Sequence, residues 1–135
     1  MFTKKISLII LLISFSLLPF ACSMNTLSTQ LIGHYSGKIP CADCPGIIMD
    51  LDLKEKAQYQ SEMLYLERNN TTTEHGIWKV IKEKDARGIE QIIIELTSGI
   101  SSAKTYLNLK NNTTLQMLDS EKKPVQTAEL KKKVL

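Results

Sequence analysis

The sequence predicts an all-β chain, a small up-and-down barrel of about eight antiparallel strands, and three observations carry that prediction. Short segments with period-two alternation recur along the chain, and they are rich in β-branched and aromatic residues. Turn-forming residues separate them at hairpin spacing. Asn69-Asn70 and Asn111-Asn112 are among the clearest, because asparagine tolerates the positive φ of tight turns. The stretch after residue 21 has the length of a single domain, and closing so many short strands into a barrel removes the edges they would otherwise expose. A two-sheet sandwich shares this periodicity and stays open as the alternative.

The first residues are a targeting segment. Lys4 and Lys5 precede an apolar run from Ile6 to Phe20, the positive and apolar regions of a secretory signal. A spanning helix needs about 20 apolar residues, and this run is shorter and interrupted by Ser7, Ser14, Ser16 and Pro19. Ala21 directly before Cys22 resembles a bacterial lipobox, with Pro19 standing where leucine is usual. The expectation is a lipoprotein signal peptide over 1–21 and lipid attachment at Cys22, whose acyl chains tie the protein to a membrane. Ala21 and Ser23 also satisfy the small-x-small rule, and cleavage after Ser23 would discard Cys22. The odd cysteine count agrees with lipidation, since one thiol is left over once Cys41 and Cys44 pair. Residues 22–30, rich in Ser, Thr and Asn, are expected to be a lipidated tether, and 31–135 one β-barrel domain.

Strands are expected near 32–38, 46–54, 57–66, 74–82, 89–97, 103–110, 113–119 and 125–131, with no helix competing. Alternation assigns Ile47, Met49, Leu51 and Leu53 to an inner face and Asp50 and Asp52 to water. Tyr59, Met63 and Tyr65, then Trp78 and Val80, then Ile92, Ile94 and Leu96 extend the same core. The chain carries 17 lysines and arginines against 14 acids, and with Lys4 and Lys5 in the leader the remainder is near neutral. That gives no electrostatic case for a nucleic-acid partner. The Lys131 to Lys133 cluster is read as a solvated tail.

The informative chemistry is Pro40-Cys41-Ala-Asp-Cys44-Pro45-Gly46. A thioredoxin-like couple needs its first cysteine at a helix N-terminus, whereas Pro45 and Gly46 disfavour a helix here and a strand-like run follows. A closed zinc site wants four ligands, and His34 and His75 would have to complete it by folding. Soft thiolates suit copper(I) better than a hard cation, with Met49, Met63 and Met117 as further sulfur donors if they are not simply packing. A Cys41–Cys44 disulfide is the alternative to metal, favoured by an oxidising compartment, although so short a loop contributes little stability through chain entropy.

At these residues the sequence resembles the NlpE-type outer-membrane lipoproteins of copper resistance and envelope-stress signalling. The resemblance rests on Tyr35-x-Gly37, on Pro40 to Ile47, on Gly76-x-Trp78, and on Leu115, Leu118 and Asp119. It implies a lipocalin-like barrel, attached by its lipid anchor to the inner leaflet of the outer membrane and facing the periplasm. The CxxC is then involved in copper handling, with copper(I) the cofactor to consider, and an envelope-stress sensor protein is the expected partner. The fuller members carry a second, OB-like domain, and this chain stops before one. A second functional class is a barrel that holds a small apolar ligand. A third, an enzyme, finds no nucleophile, base and orienting residue in a recognisable arrangement; Ser36 and His34 share a strand face without a sign of activation.

Overall fold

The computed structural model describes residues 26–134, so the expected leader, Cys22 and the first tether residues lie outside the described residues. Eight antiparallel strands follow one another around a closed barrel: β1 (Gly33–Ile39), β2 (Ile47–Leu53), β3 (Gln58–Tyr65), β4 (Asn70–Lys84), β5 (Glu90–Ser98), β6 (Lys104–Asn111), β7 (Thr114–Leu118) and β8 (Pro124–Lys132). Each strand pairs with the next, and β8 returns to β1 through Tyr35↔Lys132 and Ser36↔Lys131. One sheet closed on itself replaces the sandwich alternative.

The period-two pattern works as the sequence predicts because one face of every strand points into the barrel. Along β2, Ile47, Met49, Leu51 and Leu53 are buried while Ile48, Asp50 and Asp52 are half-exposed outside. Tyr59, Trp78, Ile94 and Leu96 join the same core, with Met63, Tyr65 and Val80 packed against it. The interior is filled with side chains: Tyr35, Leu51, Leu107, Leu115 and Leu130 are fully buried. Each such side chain contributes about 1.5–3 kcal/mol of transfer free energy.

Two glycines let backbones meet where a side chain could not fit. A Cβ on Gly37 would lie 1.9 Å from the Glu129 carbonyl oxygen, at the seam where β1 meets β8, and one on Gly76 would lie 2.0 Å from the Thr97 oxygen. β4 is longer than its alternation suggests. Its first half pairs with β3 and its second half with β5, a stagger that gives a closed sheet its tilt. The threonines 71–73, which read as a continuation of the Asn69-Asn70 turn, are recruited as strand by pairing with Leu64, Met63 and Glu62.

The expectation of a polar tether without a helix is corrected from Thr26 onward, where Thr26–Leu31 forms a short helix, α1. Six largely polar residues cannot nucleate a helix alone, so tertiary contacts stabilise this one. Leu31 is buried and Leu27, one turn earlier, packs against the core. The C-terminal carbonyls that a helix leaves unpaired are taken up by the barrel. Tyr35 Oη donates to the Leu31 oxygen at 2.8 Å, and Lys132 Nζ to the Gln30 oxygen at 2.7 Å. The helix therefore sits at the end of the barrel where β1 starts. The Cys41–Cys44 segment follows the other end of β1.

Candidate functional site

The 40–46 loop joins β1 to β2, and in it Cys41 and Cys44 are linked by a disulfide with Cα atoms 5.3 Å apart. Pro45 holds Cys44 away from helical backbone, and no helix forms. The dipole that activates thioredoxin-like cysteines is therefore missing here. The loop is clamped to the 66–69 turn: Arg68 pairs with the Asp43 carboxylate and donates to its carbonyl, and Leu66 N–H donates to the Gly46 oxygen at 3.1 Å. Both cysteines are half-buried against the core. Beside them opens a cavity of about 340 Å3, walled by Lys38, Ile39, Pro40, Pro45 and Thr127. Thr127 has φ 63° where β8 slips register against β7. A β-branched residue in that region is a true outlier, of the kind that collects at functional sites.

Among the described residues no group of three or more His, Cys, Asp or Glu side chains is placed to hold a metal ion. Met49 is buried in the core, and Met63 and Met117 pack against it. The donor set the loop offers, once reduced, is two adjacent thiolates. That set fits a soft, low-coordinate ion such as copper(I), and fits neither a hard cation nor a four-ligand zinc site.

The two histidines lie on strands, away from this loop. His75 in β4 is exposed and registers with Gln60. His34 belongs to a polar cluster that the sequence reading missed. Its Nδ1 lies 2.6 Å from Asp52 Oδ1 and its Nε2 3.1 Å from Asp50 Oδ1, on the outer face of the β1–β2 hairpin. Lys133 Nζ reaches Asp50 at 3.1 Å. Burial pushes the Asp50 carboxyl up, but hydrogen bonds from Ser36, Lys133 and His34 outweigh it and hold that group below the usual range. Ser36 is thus tied to Asp50, and the imidazole is clamped between carboxylates. The signal was the pairing of two alternations, His34/Ser36 opposite Asp52/Asp50, which becomes visible only once the register is known.

A family model for the NlpE N-terminal domain matches residues 35–128. Among solved structures, that of the Cpx pathway activator NlpE from Escherichia coli is similar, with a TM-score of 0.55 and 27% identity, over 71% of this chain and 45% of that one. This chain therefore spans under half the length of the Escherichia coli protein. A candidate lipoprotein from Shewanella oneidensis has a TM-score of 0.56 at 24% identity, over 77% of this chain and 90% of its own, which is a likeness of fold. No curated protein matches the sequence.

Proposed function

Since the chain belongs to the NlpE family through its N-terminal domain, we propose that it is a non-enzymatic lipoprotein of the bacterial envelope that serves in envelope-stress sensing and copper resistance through Cys41 and Cys44. The lipid on Cys22 anchors it to the inner leaflet of the outer membrane, facing the periplasm, and its partner is an envelope-stress sensor protein. The similarity to a Cpx pathway activator supports this reading over the part of that protein the two chains share.

The observation that carries the proposal is the disulfide loop itself, held at one end of the barrel with a cavity against its sulfurs. Two electrons and two protons, delivered by an external thiol reductant, convert the S–S bond to two thiols. The resulting thiolates of Cys41 and Cys44 would hold copper(I), which supplies nothing here beyond its affinity for soft sulfur. Opening the bridge also frees the loop to move against its Arg68 clamp, so metal and redox state are read out by one element.

The test is thiol titration and copper(I) binding on the purified protein. The oxidised chain is expected to show neither Cys41 nor Cys44 as a free thiol. After reduction both should react, and about one equivalent of copper(I) should bind. The Cys41→Ser/Cys44→Ser chain should keep its β-sheet spectrum and lose the metal; binding equal to that of the parent would sink the copper reading. Intact-mass analysis of the membrane-bound chain checks the anchor, with the expected acyl mass lost in Cys22→Ala.

A further inference from the structure

The end of the barrel opposite the disulfide carries a second site. Between α1, the 54–57 loop and the second half of β4 lies a half-open cavity of about 710 Å3. Small-molecule sites are typically roughly 300–1,000 Å3. Trp78 and Val80 from β4, Ile32 and Ala57 line it, together with Ser28 and Thr29 of α1. Trp78 is 5% exposed, and its ring N–H donates to the Lys54 carbonyl at 3.0 Å. With that polar group satisfied, what the indole offers the cavity is apolar surface.

The rim carries two lysines that no carboxylate among the described residues neutralises. Several lysines on the barrel face a carboxylate across the strands, as Lys79 and Lys104 face Glu95 and Lys110 faces Glu129. Among the described residues Lys54 and Lys56 have no such partner, and Lys54 Nζ reaches only the Gln60 amide oxygen at 2.9 Å. Glu55 between them leaves the rim with a surplus of positive charge. Lys56 and Ala57 are both held at positive φ, 58° and 56°, and strain of this kind in residues bearing a Cβ collects at ligand clamps.

We propose that this cavity binds a free single-chain anionic amphiphile of the long-chain fatty-acid class, its hydrocarbon lying along Trp78 and Val80 and its head group over Lys54 and Lys56. The filled interior of the barrel leaves no room for such a ligand further in, so the mouth is the site. This binding is independent of the disulfide and of copper.

Trp78 is the only tryptophan in the chain, so its fluorescence reports this cavity alone. Dibromostearate, whose bromines quench an indole on contact, would be titrated into the lipidated protein and into Cys22→Ala. The expected result is saturable quenching in both, reversed by excess oleate. Thr29→Phe, which fills the cavity from an exposed position on α1, should weaken it about tenfold or more. Lys54→Glu/Lys56→Glu should weaken it roughly three- to tenfold while leaving binding of a neutral monoacylglycerol unchanged. Absence of quenching in both proteins, or undiminished quenching in a folded Thr29→Phe chain, overturns the site. Quenching in Cys22→Ala but not in the lipidated protein overturns the free ligand, because the protein's own acyl chain then fills the cavity.

Discussion

At the scale of single residues, Gly37 and Gly76 carry the least tolerance. Gly37 sits where β1 and β8 close the barrel, and any Cβ there strikes the Glu129 backbone, which cannot move aside as a side-chain tip could. Gly37→Ala is expected to cost about 1–3 kcal/mol, seen as a lower urea midpoint. An unchanged midpoint would show that the seam can open. Gly37 and Gly76 were visible in the sequence as members of two short motifs, yet nothing in their spacing said what they do; both are sites of close backbone approach. The His34, Asp50 and Asp52 cluster was hidden for a related reason. Alternation correctly sent the aspartates outward, but the register across a seven-residue loop is not set by a turn type, and register is what brings His34 between them.

At the scale of elements, strands were legible and the helix was not. A strand that buries one face writes its period into the sequence, and β2 shows that period plainly. Helix α1 owes its existence to contacts made elsewhere in the chain: the Tyr35 hydroxyl, the Lys132 ammonium and the core under Leu27 and Leu31. Its only trace was two leucines four residues apart in a polar stretch. Tyr35→Phe removes the hydrogen bond to Leu31 and should cost about 1 kcal/mol. Hydrogen exchange is expected to speed up first in α1 and little in β5; uniform acceleration would mean that the helix is not a separate unit. The 40–46 loop depends on the 66–69 turn in the same way. Arg68→Ala should leave the barrel's stability nearly unchanged, since exposed pairs contribute about 0–1 kcal/mol, while raising the rate at which a thiol reductant opens the disulfide.

At the scale of the whole molecule, stability should fall at both extremes of pH. Burial pushes the Glu95 carboxyl up, but Lys104 and Lys79 outweigh it and hold it low, and Asp50 is also held low. Groups with lowered folded pKa values add stability that is fully present above their unfolded values of about 4 and is lost as pH falls through the folded ones. The urea midpoint should therefore drop below about pH 4, less steeply in Glu95→Gln. On the alkaline side, burial and the Glu74 carboxylate push Tyr59 up to about 12. Its contribution is whole below about pH 10, the unfolded value, and disappears as pH rises towards the folded one. Tyr59→Phe should flatten that limb, and a midpoint independent of pH between 10 and 12 would remove Tyr59 from the account.

The seven residues of β1 separate the two ends of the molecule, with α1 before them and the disulfide loop after. At about 3.3 Å per residue they set a span of roughly 20 Å. Under the lipidation proposed for Cys22, four residues ahead of α1 in sequence, the cavity beside α1 would be the end nearer the bilayer and the disulfide loop the farther one. On that proposal the barrel would work as a spacer, and the proposed partner would meet Cys41 and Cys44 from the aqueous side or from the opposing membrane rather than along the plane of the anchoring bilayer.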